Sequence, residues 1–276
     1  MSLRSVAAVA GLQSGEALRN RWFLLYAVAF ALLAVGLSAL SALGAGQVGL
    51  TGFGRTTASL INLSLLVVPL MGLTAGATAL AAERERGTLE LLAALPLTRG
   101  EILAGKFAGL SIALGAALAA ALGITGLAIA AGGGLEDLGA YLVFALSTVL
   151  LGLAMLAVGL LVSALAPRAS LALGVALSLW FLFAFLSDLG LIGSSLVLRL
   201  GPEALFRAVL VNPLQAYKLA VLAAIGSSLD VLGPAGHYAM RTFGDTLLPL
   251  LGGVLLVWTV LPLLLAGVVL HRRDHP

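Results

Sequence analysis

Three short residue patterns could carry chemistry in this chain of 276 residues, and none of them completes a site. Residues 100–106 match the phosphate-binding pattern G-x-x-x-x-G-K, but Phe107 stands where the magnesium ion of a bound nucleotide needs a hydroxyl group. The pattern also opens an apolar segment and follows no strand. We therefore expect no nucleotide hydrolysis in this chain.

The other two patterns are pairs of metal-ligand residue types with helical spacing. His271 and His275 are four positions apart, which suits two metal ligands on one helix face, but the two arginines between them would repel a cation. His237 and Met240 are ligand types for copper(I), but Arg241 follows directly. The chain has no cysteine and no H-E-x-x-H or G-x-S-x-G motif. We therefore expect no metal site, catalytic residue or cofactor in this chain.

The elements that must hold these residues follow from the composition. Hydrophobic residues make up 61% of the chain and charged residues 10%, whereas a soluble domain carries about 25% charge. So few polar groups cannot cover a water-facing surface. The composition therefore predicts an integral membrane protein in a lipid bilayer, without a nucleic-acid partner.

Six charge-free apolar runs are long enough to cross a hydrocarbon core of about 30 Å as helices, and they lack the alternation of barrel strands. We predict an all-α membrane fold with transmembrane helices at 22–43, 56–82, 107–135, 138–167, 169–187 and 246–270. Charges interrupt residues 1–21, so this stretch is an N-terminal interfacial segment and not a cleaved signal peptide. The spans hold almost no ionisable residue, which argues against a proton-coupled carrier.

The basic residues indicate the orientation of the chain, because cytoplasmic loops are enriched in Lys and Arg. If the N-terminus is cytoplasmic and the chain crosses six times, ten of the fifteen basic residues lie inside. Both termini are therefore predicted to be cytoplasmic. Residues 22–187 then hold the first five spans, residues 246–270 the sixth, and residues 271–276 a cytoplasmic tail.

The external segment 188–245 is apolar and is broken by three Gly-Pro or Asn-Pro pairs. Its apolar runs at 189–198 and 219–229 are too short to span a bilayer. They suit interfacial helices, re-entrant helices or the core of a small external subdomain. We interpret this helical segment as a docking surface or an outer gate.

The cytoplasmic segment 83–106 is predicted to contain a short amphipathic helix. Gly87 permits a turn, Thr88 is a candidate N-cap with Glu90 in the first turn, and Pro96 ends the helix. Thr98 and the glutamate three positions later form a capping-box pattern that opens the third span. The helix could rest on lipid as an ordinary interfacial helix, or it could insert into a partner protein and move spans two and three.

The strings E-R-E-R-G-T-L-E-L-L and P-L-T-R-G-E-I-L-A-G-K in this segment resemble the signature of type-2 ABC exporter permeases. The resemblance implies a coupling helix at 83–100 that contacts an ATPase, and a homodimer with two copies of a cytoplasmic ABC ATPase that holds ATP and magnesium. It also implies a multi-pass location in the bacterial inner membrane. The implied ATPase-coupling residues are Glu83, Glu85, Gly87, Thr88, Leu89, Glu90, Leu92, Pro96 and Arg99.

Segments 18–22, 171–189 and 211–219 resemble the membrane subunits of transporters that serve nitrous oxide reductase maturation. This narrower resemblance implies a periplasmic repeat protein as partner and a role in copper-site maturation. Residues expected to dock that partner are Asn212, Pro213, Tyr217, Lys218, His237, Tyr238 and Met240.

Three functions stay open at this point. The complex could transport a solute, or it could use ATP only to do conformational work on the periplasmic partner. The alternative is a type-2 exporter of a drug, lipid or other hydrophobic solute. The pairs Gly72-x-x-x-Gly76 and Gly105-x-x-x-Gly109 allow close helix approach, either within one chain or between two copies.

Overall fold

The computed structural model describes residues 3–43, 53–88, 97–131, 138–186, 201–225 and 229–272, and these residues are almost entirely helical. The helices are α1 (Leu3–Arg19), α2 (Arg21–Leu43), α3 (Phe53–Glu85), α4 (Arg99–Ala131), α5 (Leu138–Leu165), α6 (Ala169–Phe181), α7 (Pro202–Val211), α8 (Pro213–Ala224), α9 (Leu229–Phe243) and α10 (Leu247–Arg272). A π-helical turn, Leu182–Leu186, continues α6, and a 3₁₀ turn, Gly244–Thr246, joins α9 to α10.

Five of the six predicted spans are helices long and apolar enough to cross a membrane: α2, α3, α4, α5 and the stretch that ends in α10. The span predicted at 169–187 is shorter, since its apolar helix covers Ala169–Phe185 within the described residues. The all-α membrane class is thus confirmed, with five helices of spanning length in the described part of the chain. The count of six and the cytoplasmic termini stay predictions.

The core lies between α3 and α5, which pack along each other. Small residues permit this approach: a Cβ added at Gly72 would lie 2.7 Å from the carbonyl oxygen of Gly152, and one at Gly159 would lie 2.5 Å from the carbonyl oxygen of Leu73. Gly76 likewise faces the α5 backbone at Leu156. The first G-x-x-x-G pair therefore serves packing within the chain, which the sequence left undecided.

The second G-x-x-x-G pair receives the N-terminal helix. A Cβ at Gly105 would lie 2.6 Å from the Cβ of Val9, and one at Gly109 would lie 2.5 Å from the carbonyl oxygen of Ala10. Helix α1 therefore packs on the beginning of α4 through its buried face.

One outer helix, α8, packs on the membrane helices, whereas α7 and α9 share a second buried cluster with α8 and α10. In α8, Leu214, Tyr217 and Val221 belong to the same buried cluster as the core of α3 and α5. Tyr217 is hydrogen-bonded to Thr148, whose hydroxyl lies 3.1 Å away. Thr148 is ten residues into α5, about 15 Å along its axis. Helix α8 therefore contacts the interior of α5 and not only its end, and the three alternatives for segment 188–245 stay predictions.

Candidate functional site

Segment 86–98 connects α3, which ends at Glu85, to α4, which begins at Arg99, and its residues 89–96 lie outside the described part of the chain. Gly87 has a φ of 72°, the left-handed region that glycine adopts at no steric cost. At the other end the predicted capping box is confirmed. The backbone N–H of Glu101 donates to Oγ1 of Thr98 (3.3 Å), and the N–H of Thr98 donates to Oε2 of Glu101 (2.9 Å).

A buried ion pair lies at the base of this loop. The ammonium group of Lys106, in α4, is 2.6 Å from Oε1 of Glu83, in α3, and it also donates to Oε1 of Gln13, in α1 (2.8 Å). Lys106 is 1% exposed, so its charge depends on these partners. The second oxygen of Glu83 is also buried and forms no hydrogen bond with the described residues. Three helices therefore converge on one lysine.

The two residues that follow Glu83 connect α3 to its other neighbours. The guanidinium group of Arg84 donates to the carbonyl oxygens of Ser163 (3.2 Å) and Ala166, at the end of α5. Oε2 of Glu85 accepts the backbone N–H of Ala169 (3.0 Å), where α6 begins. We name Gln13, Glu83, Arg84, Glu85 and Lys106 the charged junction. It connects the end of α3 to α1, α4, α5 and α6.

Other residues of the predicted coupling set surround the junction. The hydroxyl of Thr88 donates to the carbonyl oxygen of Glu83 (3.2 Å), and both Gly87 and Thr88 are exposed. Arg99 donates to the carbonyl oxygen of Leu270 (3.3 Å), so the start of α4 is joined to the end of α10. Four further members, Leu89, Glu90, Leu92 and Pro96, lie outside the described residues.

The comparison with protein families rests on nearly the whole chain. The model of the ABC-2 family transporter protein matches residues 7–275. The chain belongs to the ABC-2 transporter family. It is 37% identical over 278 residues to the "Probable ABC transporter permease protein NosY" of Stutzerimonas stutzeri, covering 98% of this chain and 99% of that protein. It is also 37% identical over 275 residues to the protein of the same description from Pseudomonas aeruginosa, covering 97% and 98%.

These similarities confirm both resemblances found in the sequence, to ABC permeases and to the NosY group. This ABC-2 protein is a permease subunit, and it is a multi-pass membrane protein. The charged junction lies at the base of the segment that carried the family signature.

Sequence reasoning did not find two contributors to the site of this ABC-2 permease. Gln13 was assigned to an interfacial segment, and Ser163 to the interior of a span. The hydroxyl of Ser163 accepts the backbone N–H groups of Leu80 (2.9 Å) and Ala81 (2.8 Å). Neither residue could be found from a local pattern. The sequence did indicate that Lys106 needs an acceptor, because a lysine on a buried helix face must have its charge paired.

The residues proposed for partner docking fall into two groups. Asn212, Pro213 and Tyr217 are buried within the chain, and their role in docking stays a prediction. Asn212 caps α8 by accepting the N–H of Leu214 (2.9 Å), and it donates to the carbonyl oxygen of Phe183 (2.8 Å).

The second group lies nearer the surface of the outer helices. His237 is exposed, whereas Lys218, Tyr238 and Met240 are partly buried. Tyr238 and Met240 pack on the outer cluster around Phe206. His237 and Met240 thus differ in exposure. Within the described residues, no group of three or more His, Cys, Asp or Glu is placed to bind a metal.

The phosphate-binding pattern at 100–106 lies inside α4 and not in a loop between strand and helix. Its lysine is the buried Lys106 of the charged junction, and Gly105 faces Val9. The rejection of this pattern as a nucleotide site therefore agrees with the helix geometry.

Proposed function

We propose that the loop at 86–98 is the coupling element of this permease and that a separate ATPase subunit, which holds ATP and magnesium, binds there. The charged junction is the observation that carries this proposal. A force applied to the loop acts first on the ends of α3 and α4. Because Lys106 and Glu83 hold these ends together, the two helices move as one unit.

The junction also distributes such a movement to the rest of the bundle. Removing one partner of a buried ion pair costs about 3–5 kcal/mol, so the connection between α3 and α4 resists separation. Arg84 transmits the displacement to α5, and Glu85 transmits it to α6. An ATPase that closes on ATP would therefore tilt several helices together.

This movement would reach the outer helices through α5. Helix α8 is held on α5 by the hydrogen bond between Tyr217 and Thr148, and α10 packs along α5 as well. We propose that the exposed surface of α9 around His237 docks a periplasmic repeat protein. A change at the cytoplasmic loop would reach that surface through α5 and α8.

We propose a homodimer with two ATPase subunits in the bacterial inner membrane, with six spans and both termini in the cytoplasm. Two ATPase subunits need two equivalent docking loops, and a two-fold axis between identical chains supplies them. The full-length identity to NosY permeases supports a role in copper-site maturation of nitrous oxide reductase over the export of a drug or lipid.

Replacing Leu89 and Leu92 with aspartate tests the coupling proposal. Both leucines lie on the predicted apolar face of the coupling helix, so two carboxylates should abolish ATPase binding. Co-purification of the ATPase with the membrane subunit measures this, and Leu12→Asp on the exposed face of α1 is the control. An ATPase that stays bound to the double variant would refute the coupling role.

Purely mechanical work on the periplasmic partner is a second candidate function. The absence of cysteine and the close packing of α3 on α5 through glycines favour it over a copper pore. ATP-dependent uptake of a labelled copper or sulfur solute by the reconstituted complex would exclude it.

A further inference from the structure

The ends of α4 and α10 line a groove of about 840 Å³, which also reaches Leu97 and Thr98 at the end of segment 86–98. One wall is apolar: Leu264 and Val268 stand one turn apart on α10 and share the groove with Ile102 of α4. Leu264 is 64% exposed and Val268 49%. Gly267 lies on the same face, and a Cβ there would meet only Leu103, at 3.8 Å. The groove is therefore open at Gly267, where α10 has no side chain.

The other end of the groove carries the positive charges of Arg99 and Arg272, with the imidazole of His271 between them in the lining. These residues line it where α4 begins and α10 ends, and the lining residues include no Asp or Glu among the described part of the chain. The hydrogen bond from Arg99 to the carbonyl oxygen of Leu270 fixes one guanidinium group at this rim. Arg272 is eight residues beyond Leu264, about 12 Å along the helix. Along the predicted membrane normal, the apolar wall of the groove is therefore followed by its positively charged rim.

We propose that this groove binds one anionic phospholipid. The headgroup phosphate lies between Arg99, His271 and Arg272, and one acyl chain lies along Leu264 and Val268. Charge complementarity carries the choice, because anionic lipids populate the cytoplasmic leaflet and basic pockets between membrane helices bind their headgroups. A free inorganic anion would contact the basic rim of the groove but not its apolar wall. The proposal rests on the predicted cytoplasmic side of these helix ends and not on the binding of an ATPase.

The lipid has a structural consequence for the loop at 86–98. Arg99 is the first residue of α4 and directly follows that loop. A phospholipid bound across Arg99 and Arg272 would hold the start of α4 against the end of α10. It would therefore restrict the same helix end that the ATPase is proposed to move.

Native mass spectrometry of the full-length protein tests the proposal. The protein is titrated with dioleoyl phosphatidylglycerol, and with dioleoyl phosphatidylcholine as the zwitterionic lipid with the same chains. We expect one phosphatidylglycerol per chain, weaker binding of phosphatidylcholine, and no displacement by inorganic phosphate. Equal binding of both lipids would overturn the proposal, and so would displacement by phosphate.

Two variants locate the lipid in the groove. His271→Gln with Arg272→Gln removes charge from the rim and should weaken phosphatidylglycerol binding about five- to tenfold. Gly267→Leu fills the groove without changing charge and should weaken binding of the same lipid. The control is Arg168→Gln, an exposed arginine in a different loop, which should bind as the wild type does. Unchanged binding in both variants would overturn the proposal.

The ATPase separates this proposal from the coupling proposal. Leu89→Asp with Leu92→Asp should lose the ATPase and keep the lipid, so each proposal can fail independently. If Gly267→Leu releases the ATPase and keeps the lipid, the groove is an ATPase contact and the lipid proposal is wrong. If Gly267→Leu does not fold, the rim variant decides, because His271 and Arg272 are exposed and their replacement leaves the packing intact.

Discussion

Lys106 is the residue at which α1, the end of α3 and the beginning of α4 meet. A lysine side chain that is 1% exposed retains its charge at low energetic cost only if a carboxylate and further acceptors replace water. Glu83 and Gln13 do so at 2.6 and 2.8 Å. The sequence places Glu83 in the ATPase-coupling set, and the side chain points into the junction and not to the surface.

Lys106→Met should destabilise the protein by about 3–5 kcal/mol, because it leaves the Glu83 carboxylate buried without its cation. The double variant Glu83→Leu with Lys106→Met should recover most of that loss, since a packed apolar pair needs no ionic partner. Thermal unfolding in detergent measures both effects.

The exposed ion pair between Glu203 and Arg207 supplies the control for this cycle. Arg207→Gln should change the melting temperature little, because water screens an exposed pair. If Lys106→Met melts at the wild-type temperature, the ion pair does not hold the junction together.

At the scale of elements, glycine decides which helices pack together. The faces of α3 and α5 meet through Gly72, Gly76 and Gly159, where an added Cβ would meet backbone of the other helix. At Gly152 it would meet the side chains of Leu114 and Val68. In a bilayer, such close approach lets dispersion contacts and backbone dipoles replace the hydrophobic effect as the source of helix association. The α3–α5 pair is thus a rigid unit between the charged junction and the outer helices.

Gly76→Ala should destabilise the protein by about 1–3 kcal/mol, because its Cβ would press on the α5 backbone at Leu156 and force the helices apart. Gly115→Ala is the matched control within a membrane helix. Nothing lies within 4 Å of its added Cβ, so it should be neutral or slightly stabilising. Equal melting temperatures for the two variants would show that α3 and α5 do not depend on this close contact.

At the scale of the whole molecule, the outer helices combine one helix packed in the main core, α8, with one that exposes part of its surface, α9. Helix α8 is buried at Tyr217, whereas α9 exposes His237. Deleting the outer segment would therefore remove part of the core together with any docking surface. Single substitutions separate the two roles.

Tyr217→Ala should lower the melting temperature, because it removes a fully buried side chain and leaves Thr148 without that hydrogen bond. Truncating a buried aromatic residue typically costs about 3–5 kcal/mol.

His237→Asp should keep the wild-type melting temperature and weaken binding of the periplasmic partner, measured by co-purification. A partner that binds His237→Asp normally would place the docking surface elsewhere.

Much of the fold was predictable because it depends on local properties. Long apolar runs predicted α2, α3, α5 and α10 to within three residues of the observed bounds. Helix α4 begins eight residues before its predicted span, where the capping box at Thr98 indicated. For the span predicted at 169–187, the described residues are helical through Leu186, with a π-helical turn beside the cap of α8.

The sequence by itself determined the membrane class and the family signature between α3 and α4. Each of these depends on composition or on residues close together in the chain. Only the tertiary structure decided that Lys106 pairs with Gln13, 93 positions away, and that Tyr217 is bonded to Thr148, 69 positions away. It likewise decided that both G-x-x-x-G pairs pack within the chain. The physical reason is that burial and charge pairing depend on which helix faces meet, and apolar runs of similar composition do not encode that choice locally.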